Sequence, residues 1–79
     1  MENNVRAQRL RIIEWFKRNK SLTTHQDREI LGVIHPAGRI MELRQRGYDI
    51  MTHWTWEANA QGRTHRVAKY VLMKRRAKP

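Results

Sequence analysis

Residues 22–52, LTTHQDREILGVIHPAGRIMELRQRGYDIMT, constrain the fold more than any other stretch of the chain. Two helical patterns are separated only by a short glycine-containing turn, and the hydrophobic period then drops from about 3.6 to about 2. Thr24 followed by Asp27 and Glu29 predicts a helix start, with a hydroxyl to cap early amides and carboxylates near the positive end of the dipole. That short helix is expected to end at Gly32, the residue best suited to a left-handed cap. Ile30 and Leu31 are its expected core contacts, with Val33 or Ile34 packing just beyond the turn. Pro36 suits the first turn of the next helix, which runs to about Arg46 and closes at Gly47. Ile40 and Leu43 make its buried side, with Ala37 and the stem of Arg44 at the edges.

The flanking segments complete the pattern. In residues 5–18, Val5, Ile12, Ile13 and Phe16 share one broad helical face with Leu10 at its margin, which predicts an amphipathic first helix. Trp15 projects away from the centre of that face, either flanking the core or meeting another protein. Asn19-Lys20-Ser21 ends this helix, and Leu22-Thr23 reads as a strand stub. After Gly47, Ile50, Thr52, Trp54 and Trp56 alternate with Met51, His53 and Thr55, so a strand is expected with Trp54 in the core and Trp56 at the core margin, in a dimer contact or stacked on a base. Residues 57–62 form a polar loop, and a second strand through about Met73 returns with Ala68, Tyr70 and Leu72 on one face. The final KRRAKP, residues 74–79, is expected to be a basic flexible tail beside a single domain of residues 1–73.

Charge narrows the partners. Of 17 Lys/Arg, ten lie in residues 1–57 together with all seven acidic residues, whereas residues 58–79 hold seven Lys/Arg and no acid. These last 22 residues therefore carry +7 of the net +10, a concentration that solubility does not require and that favours a polyanion. With 79 residues there is room for one small core and no deep catalytic cleft, so an enzyme is not expected. There is no cysteine, and the histidines at 25, 35, 53 and 65 lack metal-ligand spacing, so neither a metal nor another cofactor is expected. No run of about 18 apolar residues exists and the first residues are polar, from which no membrane association and a cytoplasmic, nucleoid-associated location are expected.

The segment from about residue 8 to residue 72 resembles a family of small bacterial and phage helix-turn-helix domains of winged type. The resemblance rests on Leu22-Thr23, Gly32 and Ala37. It continues through Arg39-Ile40-x-x-Leu43-Arg44-x-x-Gly47-Tyr48 and Ile50-x-Thr52, then Gly62 and Tyr70-x-Leu72. Two positions depart from it: Asp27 stands where such second helices usually carry a small apolar residue, and Pro36 opens the third helix. Asp27 is compatible either with looser helix packing or with an outward-rotated role near the dipole. The resemblance implies an α+β winged helix-turn-helix with three helices, a short strand between the first two and a C-terminal two-stranded wing. It also implies double-stranded DNA as partner, in a small phage, prophage or bacterial regulator or DNA-architectural factor.

Within that frame the third helix is expected to enter the major groove and the wing to lie on the backbone or minor groove. His35, Gly38, Glu42 and Gln45 fall opposite the buried stripe, flanked by Arg39 and Arg46 on one side and Met41 on the other. Arg pairs bidentately with guanine and Gln with adenine, while Gly38 permits close approach. Alternatively Arg39, Glu42 and Arg46 form an ion-pair ladder, and Arg44 covers core while its head reaches a phosphate or carboxylate. Thr24, His25 and Arg28 surround a helix start that either grips a phosphate or is merely capped. Arg63, His65 and Arg66 on the wing either meet DNA or keep an edge strand soluble, and Lys74, Arg75 and Arg76 add unspecific affinity. A homodimer or tandem binding would lengthen the short footprint. A rival reading, favoured by the acidic Glu42, is a protein-interaction module whose basic face meets an acidic protein; RNA is a third partner class.

Overall fold

The computed structural model describes residues 3–74, so Arg75, Arg76 and the rest of the expected basic tail lie outside the described residues. Three helices and three strands follow in the order α1 (Val5–Arg18), β1 (Ser21–Thr23), α2 (Thr24–Glu29), α3 (Pro36–Gln45), β2 (Asp49–Ala58) and β3 (Thr64–Lys74). The strands form one antiparallel sheet in the order β1-β3-β2, with Leu22 paired to Tyr70 and Ile50 to Leu72. Lys74 pairs with Asp49, so the strand takes in the first residue assigned to the tail.

Each helix boundary has a local cause. The Asn4 side chain accepts from the Ala7 amide at the start of α1. For α2 the cap is Thr23 rather than Thr24. Its hydroxyl accepts from the Gln26 amide (3.1 Å) while the Gln26 side chain accepts from the Thr23 amide (2.9 Å), a reciprocal capping box. The helix stops at Glu29, three residues before Gly32, and the Val33 amide then closes back on the Asp27 carbonyl (2.9 Å) with Gly32 at φ +68°. At the end of α3, Gly47 (φ +96°) donates to the Arg44 carbonyl and Tyr48 to the Leu43 carbonyl, the paired bonds of a Schellman closure.

The core gathers Ile12 and Phe16 from α1, Leu22 from β1, Val33 from the turn, Ile40 and Leu43 from α3, and Ile50, Ala68 and Tyr70 from the sheet. Each fully buried aliphatic side chain contributes about 2 kcal/mol by leaving water. Trp15 flanks this cluster and its indole Nε1 donates to the Ser21 carbonyl (2.7 Å), which tethers α1 to β1. Arg11 Nε donates to the Leu31 carbonyl (2.6 Å) and ties α1 to the turn that follows α2.

Several expected core residues lie elsewhere. Ile30 is 61% exposed because α2 ends before reaching it, and Leu31 alone of that pair packs on the core. Val33, not Ile34, fills the position beyond the turn, and Val5 sits at the exposed start of α1. Trp54 is 59% exposed. It shares a strand face with Ile50 as expected, but a 10-residue strand spans about 33 Å whereas the 14-residue α1 covers about 21 Å. The hairpin outruns the helices, and on the edge strand β2 its core face emerges into solvent beyond Thr52, while Ala68, paired with Trp54 on the central strand, stays buried.

Asp27 is not rotated outward: it is 0% exposed, and neither carboxylate oxygen has a hydrogen-bond partner. Burial pushes this carboxyl from 3.8 up to about 7, opposed by the charges of Arg11 and Arg28. The folded state therefore holds a proton that the unfolded chain releases above pH 3.8. Stability from this group is complete below about pH 4 and is lost as pH rises through about 7. Asp27→Asn is expected to be more stable than the parent at pH 8, by up to about 4 kcal/mol, with the difference closing near pH 4. Guanidinium unfolding midpoints across that range check this; a difference independent of pH would contradict it.

Candidate nucleic-acid interface

Burial of Pro36, Ile40 and Leu43 fixes the rotation of α3, because the helical period then turns Ala37, Gly38, Met41 and Gln45 outward. Met41 is 59% exposed. Gly38 has no packing reason to lack a side chain, since a Cβ built there meets nothing within 4 Å. His35 is the N-cap of α3 and is exposed, with no side-chain capping bond.

The charged residues of α3 are mostly engaged within the fold. Glu42 accepts from Arg39 Nη2 on its own helix and from Arg9 Nη1 on α1, each at 2.9 Å. The Arg9 hydrogen bond, then that of Arg39, holds the Glu42 carboxyl below the usual carboxylate range against the opposing effect of burial. Half of the expected ladder is therefore present, but its third member comes from α1. Arg46 instead directs Nη1 to the Glu42 carbonyl (3.3 Å) and stays exposed with Gln45. Arg44 is engaged with the sheet: Nε donates to the Ile50 carbonyl and Nη2 to the Thr52 hydroxyl, both at 2.8 Å. It braces α3 against β2.

On the wing, the β2–β3 register places Trp56 opposite Arg66 and Trp54 opposite Ala68. The Arg66 guanidinium lies over the Trp54 ring, 4.4 Å from its centroid, so the indole presents a cation at the surface. Asn59 shapes the connection by accepting from the Gln61 and Arg63 amides through its side chain (3.0 Å each). Arg63 and His65 are exposed around this turn.

Helix pair and wing face one another across a cleft of about 720 Å³, whose lining includes His25, Arg28, Ala37, Trp54, His65 and Arg66. Thr24 also lines it, and its hydroxyl donates to the Ala68 carbonyl (3.2 Å), fastening α2 to β3. The structure thus brings together on one side the α2 residues Thr24, His25 and Arg28, the start of α3, and wing residues His65 and Arg66. Arg39 and Glu42 are drawn instead toward α1, and the side chain of Lys74 is not among those described. Sequence reasoning missed Trp54 as a surface residue and Arg9 as a partner of Glu42. Trp54 sits on the strand face that bears Ile50, so alternation alone hides its exposure, while a pair 33 residues apart leaves no local signal.

No group of three or more His, Cys, Asp or Glu is placed to hold a metal among the described residues. Nor is any described helix long and apolar enough to cross a membrane.

The Glu42 bridge should be measurable in the isolated domain. Glu42→Ala leaves two half-buried guanidinium groups without their carboxylate and is expected to lower the thermal midpoint by a few degrees. Adding Arg9→Ala should then cost less than it does in the parent. Strictly additive midpoint changes would show that the bridge does not couple α1 to α3.

Residues 7–75 match the family model for the winged helix-turn-helix domain. No curated protein and no solved structure matches the chain. Three helices, the α2–α3 turn and a long β-hairpin agree with this match, and the chain belongs to the winged helix-turn-helix domain family.

Proposed function

We propose that this domain binds double-stranded DNA, with α3 in the major groove and the β2–β3 wing against the backbone or minor groove. The observation that carries the reading is the shared cleft: the start of α3 and the Arg66–Trp54 face of the wing open on the same side, with Arg28 and Arg66 set beside the acids Glu29 and Glu57. An α-helix fits the width of the B-form major groove, and a strand pair beside it can follow the adjacent phosphates. The net +10 supplies the sequence-independent part of the affinity through counterion release. Membership of the winged helix-turn-helix family supports the same partner and a non-catalytic role.

The finer assignments go with this reading. The domain serves as a small transcriptional regulator or DNA-organising factor of a bacterium or its phage, acting in the cytoplasm at the nucleoid. It binds as a dimer or in tandem, because one short helix and one wing read few base pairs. Gln45 and Arg46 at the exposed end of α3, Arg28, His65 and Arg66 on the cleft, and Arg63 at the wing turn are the contacts. Arg75 and Arg76 add backbone affinity from the tail. Glu42, whose acidity had favoured a protein partner, is compensated by Arg9 and Arg39, so nothing at that position now favours the rival.

Titration of duplex DNA followed by anisotropy tests the assignment. Arg28→Ala and Arg66→Ala are each expected to weaken binding to all sequences alike and to reduce the slope of log K against log salt by about 1. Undiminished affinity and an unchanged slope in both variants would place the DNA contact on another surface.

A further inference from the structure

We infer that α3 reads A·T base pairs chiefly through thymine methyl groups, with Ala37 and Met41 as methyl contacts and Gln45 as the adenine reader. This rests on the double-stranded DNA reading above and names the base-pair class which that reading leaves open.

The fold takes arginines of α3 away from base recognition. Bidentate recognition of guanine needs an arginine whose fork is free to reach O6 and N7. Arg39 is bound to Glu42 at 2.9 Å, at the side of α3 that meets α1. Arg44 spends its guanidinium on Ile50 and Thr52 of β2. Arg46 is the C-cap residue, beyond the last helical residue, and bonds the Glu42 carbonyl. No arginine lies within the outward stripe itself, which consists of Ala37, Gly38, Met41 and Gln45.

What remains is apolar apart from Gln45. The thymine C5 methyl is the one apolar group that unmodified B-form DNA displays in its major groove. An Ala and a Met laid over it gain contact without leaving a polar atom unpaired. Over a G·C pair, the same side chains would cover O6, N7 and the cytosine amino group while offering no partner. Gly38 lies between these two residues, with open space where its Cβ would stand. A glycine inside a helix weakens it, so its place here is consistent with backbone approach to the groove floor. Gln45, one turn beyond Met41, has the carboxamide that matches adenine N6 and N7.

The test uses a duplex recovered by selection from a random-sequence pool, with each thymine replaced singly by deoxyuridine. This exchange removes one methyl and leaves Watson–Crick pairing intact. Affinity is expected to fall about fourfold at one or two thymines, the worth of one buried methyl. In the Met41→Ala variant at least one of those substitutions should cost nothing further. Met41 is exposed, so the variant should fold, and circular dichroism confirms that it has. Gly38→Ala should raise the melting temperature while weakening the same duplex. Tight duplex binding that ignores every methyl removed, or a selected site made of G·C pairs, overturns this inference and leaves DNA binding standing. Failure to bind any duplex overturns both.

Discussion

The burial of a single stripe on α3 governs the rest of the molecule. With so small a core, Ile40 and Leu43 have to meet α1 and the sheet, and nothing on α3 can turn without exposing them. The helical period then leaves no freedom over which residues face out. Arg44 on one flank and the Arg39–Glu42–Arg9 bridge on the other hold the helix at that rotation. The same contacts that secure the fold take cations away from the surface, and this gives the outward stripe its unusual neutrality.

The charge of the domain is consequently divided by task. Arg9 and Arg11 on α1 and Arg39 and Arg44 on α3 serve structure, through carboxylate, carbonyl and hydroxyl partners, while Arg63 and Arg66 on the wing are exposed. Arg66 is the intermediate case, with its guanidinium held over Trp54 at the lip of the cleft. Such a division suits a DNA-binding domain in which phosphate attraction and base discrimination come from different elements. The buried Asp27 sits at the α2 end of the same framework, with neither oxygen bonded. A neutral, protonated Asp27 suits this interior better than a charged one, so the fold is least strained in mild acid.

Much of this was legible in the residues. The element order, the turn at Gly32, the closure at Gly47 and the two-faced hairpin follow from period and from the backbone freedom of glycine. The T-x-x-Q pattern of Thr23 and Gln26 marked the true cap, although Thr24 looked equally suitable without the reciprocal bond. Trp54 was misplaced because alternation tells which face a residue takes, not how far the covering helices extend. For Asp27 the residues leave an outward and an inward position open, because an acid near a helix start is usually solvated, and only the packing of α2 shows it enclosed. Glu42 looked like the centre of a reading surface because its partner Arg9 lies on a different helix. The site was thus predictable in outline, while the division between bracing and exposed arginines needed the tertiary structure.

The most direct test of which face meets DNA is an amide chemical-shift titration of the labelled domain with a short duplex. The account predicts that perturbations gather on Ala37, Gly38, Met41 and Gln45 of α3, on Arg28, and on the wing around Trp54 and residues 63–66. The outer side of α1 around Leu10 and Arg18 should stay unchanged. Shifts concentrated on that outer side, with α3 and the wing silent, would contradict it.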